Sequence, residues 1–349
     1  MQNSIIFKIL NENIKEDIPN IPKQSSNENI VTKFQLKDTI PLKGKVKQIC
    51  ELEKEELLIV NIYNQDIQKN QICIYKKIKE KQKEKIVLHF SVVEEEILCI
   101  KELKDGYLLI VKDNHFKINK ISKSENSIKE IQNIKLENDE YFKDIIELIN
   151  GNLISISYSK IDNSKNKIII WNKNLMSGNY EIYKTINIKQ KPISLLEINK
   201  NYFVVFCSEN ILYSYYSKSG EEYQKINIKS NSNFKKMIKV IEDGILFLYE
   251  KNLLLFCLSN LQIRNFELEN ITEIYNISNS NNYLATFSEQ NYITIILLVI
   301  DLNKFEIYKN NDIIIKNAHS MIINCIFQLK NGNILTGSDD KKIKIWDTK

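Results

Sequence analysis

A chain of 349 residues that is 43% hydrophobic and 27% charged can bury a large core, which excludes disorder throughout. The 49 basic groups exceed the 44 acidic ones by a formal charge of only +5, and Arg264 is the lone arginine, so the basic side is almost wholly lysine. A nucleic-acid footprint calls instead for clustered charge with arginine for bidentate contacts.

In chain order, "MQNSIIFKILNENIKEDIP" has an apolar patch from Ile5 to Leu10 that is broken by Lys8 and followed by acids. This is not the shape of a secretory signal. Residues 1–29, with Pro19, Pro22 and "KQSSNEN", read as a mobile extension, and residues 30–349 as the folded domain. The longest apolar run, "ITIILLVI" from Ile293 to Ile300, has eight residues, where spanning a bilayer takes about 20. The protein is therefore expected to be intracellular and cytoplasmic, with the nucleus left open. The six cysteines (Cys50, Cys73, Cys99, Cys207, Cys257, Cys325) stand singly in apolar alternating runs without C-x-x-C or histidine at zinc spacing. They read as buried free thiols.

The domain repeats. An apolar run, a short turn and a second apolar run recur seven times, with anchors at Leu52, Leu103, Leu148, Ile198, Val240, Ile277 and Leu329 and spacings of 51, 45, 50, 42, 37 and 52 residues. Gly106, Gly151, Gly244 and Gly332 fall at the turn after the anchor, as Asp-Gly or Asn-Gly, and Gly178 and Gly220 fall at the next hairpin but one. Each unit reads as four short strands rich in Ile, Tyr, Phe and Val, such as "ELLIVNIYN", "QICIYKKI" and "EKIVLHF" after the first anchor. Strands beside the anchors, "MIINCIFQ" and "DIIELI", are apolar on both faces, which asks for sheets on both sides. The expected fold is all-β: a seven-bladed β-propeller of four-stranded antiparallel blades. Its last unit stops after three strands, so "IVTKFQLKDTIPL", Ile30 to Leu42, is expected to complete that blade and remove an exposed edge.

The terminal unit, "NAHSMIINCIFQLKNGNILTGSDDKKIKIWDTK", resembles the WD-repeat family: Ala318-His319 stands where the family has Gly-His, and "GSDDKKIKIWD" matches its second and third strands. The resemblance implies a buried structural network of His319, Thr336 or Ser338, Asp340 and Trp346, rather than a hydrolytic triad. By motif it covers only the last unit. Gly44-Lys45 replaces Gly-His in the first, Tyr75 stands at the Trp position of the first, and Trp171-Asn172 replaces Trp-Asp in the third.

His89 and His115 lie in strand-like contexts with no acidic partner at motif spacing, and no phosphate-cradling glycine loop is present. No catalytic residue, cofactor or metal site is therefore expected, and the chain reads as a non-enzymatic protein–protein interaction scaffold in a multiprotein assembly. The resemblance implies a partner surface at the loops that enter each first strand and that link second to third strands. Lys47, Lys143, Lys235 and Asn324, equivalent in the repeat alignment, fall there, beside the inserts "NIYNQDIQKNQ" and "SYSKIDNSKNK". The alternative is binding to anionic membrane lipid or nucleic acid through "KKIKEKQKEK", Lys76 to Lys85, expected as a loop between the third and fourth strands. Nucleic acid is disfavoured by the scarcity of arginine. Propellers that bind phosphoinositides use paired arginines, and Arg264 has no second arginine beside it.

Overall fold

The computed structural model describes residues 34–348 except 53–56, 81–82, 138, 231, 241–243, 251, 268–270, 277–281, 290–291, 302–303 and 330. The expected extension over residues 1–29 and the anchor Ile277 lie outside the described residues. Residues 32–349 form one compact unit.

Among the described residues the strands associate into seven four-stranded antiparallel sheets. The first holds β2 (Lys45–Leu52), β3 (Leu57–Asn64), β4 (Lys69–Glu80) and β5 (Lys83–Glu94), and the second β6 (Cys99–Glu102), β7 (Leu108–Val111), β8 (His115–Ser122) and β9 (Ser127–Lys135). The third holds β10 (Glu140–Glu147), β11 (Leu153–Ser159), β12 (Lys167–Lys173) and β13 (Tyr180–Asn187), and the fourth β14 (Pro192–Asn199), β15 (Tyr202–Cys207), β16 (Ile211–Tyr216) and β17 (Glu222–Asn227). The fifth holds β18 (Phe234–Lys239), β19 (Gly244–Tyr249), β20 (Asn252–Cys257) and β21 (Ile263–Glu267), and the sixth β22 (Ile271–Asn276), β23 (Asn282–Glu289), β24 (Tyr292–Asp301) and β25 (Glu306–His319). The last joins β26 (Ile323–Gln328), β27 (Ile334–Ser338) and β28 (Lys342–Thr348) to β1 (Phe34–Pro41), so both ends of the described chain share one sheet.

Buried apolar clusters bridge successive sheets. Leu57 and Ile110 join the first to the second, Phe116 and Trp171 the second to the third, Ile170 and Val205 the third to the fourth. Phe206 and Phe247 continue to the fifth, and Leu248 and Leu298 to the sixth. The Tyr275 hydroxyl donates to the Ile323 carbonyl at 3.3 Å between the sixth and last sheets, and Val46, Leu335 and Ile345 join the last to the first. The chain is a β-propeller of four-stranded antiparallel blades.

Two expectations are corrected by burial and register. Where burial is described, the strands buried on both faces are second strands of their blades, not those before the anchors: β19 and β27 are buried along their whole length, whereas β10 and β26 are only partly buried. First strands crowd the axis and keep one edge towards it, while second strands are sandwiched between neighbours. The Lys76–Lys85 run is not a loop. Over its described residues β4 continues to Glu80 and β5 starts at Lys83, with Lys77 opposite Ile86 and Ile78 opposite Lys85, so the run prolongs a strand pair whose apolar part, Ile72–Tyr75, is buried. Lys77 pairs with the buried carboxylate of Glu51.

The anchor turns are built alike. Leu103, Leu148 and Leu329 accept the amides of Gly106, Gly151 and Gly332 at 2.7–2.9 Å, and these glycines have φ of 85–88°, a conformation costly for other residues. Gly244 departs from this: it lies four residues after its anchor and opens β19, its carbonyl accepting the Val240 amide at 2.8 Å. Gly337 has a different task. A methyl added there would stand 2.4 Å from Val46 Cγ1 and 2.7 Å from Cys325 Sγ, so its missing side chain lets the last blade close on the first.

Gly337→Ala is expected to cost about 1–3 kcal/mol of stability by overpacking. Adding Val46→Ala should recover part of it in a urea-unfolding double-mutant cycle, and purely additive losses would contradict the contact. Deleting residues 1–42 bares the edge of β28, whose full length pairs with β1. The truncated protein is expected to aggregate in light scattering, and a stable monomer would contradict the closure.

Candidate functional site

The last blade carries a complete hydrogen-bonded chain. Trp346 Nε1 donates to Thr336 Oγ1 at 3.0 Å, Thr336 Oγ1 lies 2.7 Å from His319 Nε2, and His319 Nδ1 lies 2.9 Å from Asp340 Oδ2. Thr336 accepts from the indole and directs its own proton to Nε2, which leaves the single N–H of the neutral imidazole on Nδ1, donating to Asp340. Ser338 stands outside this chain: its hydroxyl donates to the Met321 carbonyl at 3.2 Å and accepts the Asp340 amide at 3.1 Å. Geometrically the set mimics a nucleophile, base and orienting acid. Thr336 and His319 are nonetheless buried, so no substrate atom reaches the hydroxyl in this packing. The third blade keeps half of the chain: Trp171 Nε1 donates to Ser155 Oγ at 2.9 Å.

Burial holds the His319 pKa below the ordinary 6.5, with Asp340 opposing the shift. Neutral His319 therefore supports the fold above pH 6.5, and that support is lost as pH falls from there through the lowered value.

The residues placed on the partner face share a backbone feature that spacing alone does not reveal. Strand register shifts by one residue at Lys47, Lys143, Ile193, Lys235, Thr272 and Asn324, each near the start of the first strand of its blade. These are β-bulges, which leave one residue unpaired and re-aim its side chain. Leu98 occupies the same position in the second blade, its amide bonding the Val111 carbonyl at 2.9 Å. Lys47, Leu98, Lys143 and Lys235 are exposed. Topology puts the bulges at the end of the ring that also carries the connections from second to third strands.

The four expected residues are not alike in chemistry. Asn324 Nδ2 is consumed by the seam between the last and first blades, donating to the Val46 carbonyl and to Asp339 Oδ1, both at 2.7 Å. Asp339 also faces Lys45 Nζ at 3.3 Å and Lys47 Nζ at 3.9 Å. Lys235 Nζ reaches the Ile271 carbonyl at 3.4 Å in the next blade. Neighbouring residues latch blades in the same way: the Gln48 carboxamide exchanges two bonds with the backbone of Ile100 at 2.6 and 2.8 Å. Leu98, Ile193 and Thr272 were not singled out from sequence, although their distance from the anchors, five residues as for Lys47, marks them.

Beside Lys47 an open cavity of about 1030 Å³ lies at this end of the first two blades. Asn61, Tyr63 and Lys69 of the first blade line it with Glu95, Glu96 and Leu98 from the approach to the second. Lys236 of the fifth blade also borders it, so the cavity opens towards the ring axis. All six cysteines are free, and only Cys73, Cys207 and Cys325 are buried, Cys50, Cys99 and Cys257 being partly exposed. Burial pushes the Cys99 thiol, at the cavity wall, up to about 11. Among the described residues no three His, Cys, Asp or Glu side chains converge as metal ligands. No family model and no curated protein matches this chain.

Thr336→Val, which orphans the Trp346 and His319 nitrogens, is expected to lower stability near neutral pH by about 1–3 kcal/mol in urea unfolding. The loss of stability below pH 6.5 should be shallower in His319→Gln than in the parent. Because His115 is shifted downward too, the difference between the two proteins is the quantity that reports on His319.

Proposed function

We propose that this chain is a WD-repeat-like scaffold, a seven-bladed ring that binds protein partners on its bulge face and performs no chemistry of its own. The observation that carries this reading is the repetition of one backbone device. In blade after blade a bulge releases one first-strand residue from pairing at the same end of the ring, so a rigid frame presents a circle of variable side chains. Three of these residues are lysines and none is acidic, which suits a partner with an acidic surface. The His319–Asp340–Thr336–Trp346 chain supports the family reading and is assigned a structural role, with no cofactor or metal required.

Six unpaired cysteines suit a reducing, cytoplasmic setting, and no described helix is long and apolar enough to cross a membrane. The alternative, an anionic membrane or nucleic acid held by Lys76–Lys85, is weakened by the placement of that run on two paired strands, with Lys77 neutralised by Glu51.

Tagged protein purified from its native cell at moderate salt is expected to bring down a reproducible protein set in fixed ratio. Lys47→Glu, Lys143→Glu and Lys235→Glu together should remove that set. An unchanged set would overturn the face assignment, and recovery of only lipid or nucleic acid, lost as salt rises, would overturn the scaffold reading.

A further inference from the structure

The cavity beside Lys47 holds an unanswered acceptor. Asn61 sits near the end of β3, is 2% exposed, and its Oδ1 has no hydrogen-bond partner. A buried carbonyl oxygen left so is costly and asks for a donor. By strand register the residues equivalent to Asn61 in the second, third, fourth, fifth and last blades are Val111, Ile156, Phe206, Leu248 and Gly337, none of which has a polar side chain, so the acceptor is particular to the first blade. Ser157, a buried polar residue at a different register position in the third blade, likewise lacks a partner, and it does not border this cavity.

The charges around Asn61 point to the sign of the missing group. Of the lysines in the wall, Lys236 faces Glu273 at 3.4 Å, and Lys47 lies 3.9 Å from Asp339, a carboxylate it shares with Lys45 at 3.3 Å. Glu95 and Glu96 are exposed, border the same cavity and carry no ion pair among the described residues. Against these two free carboxylates stand Lys69 and the partly compensated Lys47, while Glu95 and Glu96 are adjacent on the approach to the second blade. Ile97 and Leu98 give the wall an apolar stretch and Tyr63 an aromatic ring. An acceptor-rich pocket with apolar and aromatic walls matches one kind of side chain: an aliphatic stem ending in a cationic donor.

We propose that this cavity is the socket for a lysine or arginine side chain of a protein partner, its head donating to Asn61 Oδ1 and facing Glu95 and Glu96. The proposal rests on the scaffold reading and deepens it. The partner that covers the lysine-bearing bulges with acidic surface also inserts one basic residue off the axis, and this alternation of sign fixes its orientation on the ring.

The test uses the full-length protein and fluorescein-labelled, end-capped nonapeptide pools with randomised flanks and a fixed central arginine, lysine, citrulline or glutamate, read by fluorescence polarisation. The arginine and lysine pools are expected to bind at least about tenfold more tightly than the citrulline and glutamate pools. Asn61→Leu, which removes the orphaned acceptor, and the surface pair Glu95→Gln with Glu96→Gln should each erase that preference, while Ser157→Ala leaves it intact. The surface pair keeps the result decisive should Asn61→Leu not fold. Equal binding of the citrulline pool, or a preference untouched by the three substitutions, overturns the socket. So does spermidine binding with the same dependence on the variants, because it would assign the cavity to a free polyamine. If Asn61→Leu retains the co-purifying protein set that the triple lysine reversal removes, the socket fails while the scaffold reading stands.

Discussion

Every feature of this molecule depends on the burial of sheet against sheet around a closed circle. A single four-stranded blade of about forty residues has two apolar faces and no means of covering either, so its stability is borrowed from the blades on each side. The second strands show the consequence: β19 and β27 are buried at every position, because both faces are neighbours' contact surfaces. Outermost strands such as β9 and β17 relax to alternating exposure. The circle must also close without an unpaired edge, which is met by laying β1 on β28, and without excess bulk at the seam, which is met by Gly337.

Polar chemistry in this frame does two kinds of work. Buried, it locks geometry: the indole, hydroxyl, imidazole and carboxylate of the last blade satisfy one another in series, so that no member is left desolvated and unpaired. At the bulge end it latches blades together, through Gln48 on Ile100 and Asn324 on Val46, and what the latches leave over is presented outward. Presentation on a rigid ring lowers the ordering cost of binding, since the bulge residues are held in place before any partner arrives. The exposed bulge lysines and the exposed carboxylates of Glu95 and Glu96 lie on separate residues at this end of the ring.

Much of this was legible in the residues. Alternating apolar runs, the Asp-Gly and Asn-Gly turns, and a final unit one strand short led to four-stranded blades and to pairing between the N-terminal and C-terminal strands. His319, Thr336, Asp340 and Trp346 come together as the terminal motif implies, with Thr336 rather than Ser338 as the hydroxyl. The reading erred where a local pattern has two outcomes. Lysine runs such as Lys76–Lys85 suggest loops, yet a charged run that follows an apolar strand can prolong that strand beyond the core, as β4 does to Glu80. Apolar residues on both sides of a strand show that it is covered, but not which strand of the blade lies deepest.

By itself the sequence determined the repeating unit, its strand period, its turns and the residues able to satisfy one another within a unit, because those interactions are local along the chain. Only the tertiary structure decided which residues from different units meet. The bulge at Lys47, the seam of Asn324 with Val46 and the orphaned oxygen of Asn61 beside Glu95 all depend on one-residue shifts in pairing and on the approach of one blade to the next. Those quantities are set by the packing of the whole ring, and no stretch of a single unit encodes them.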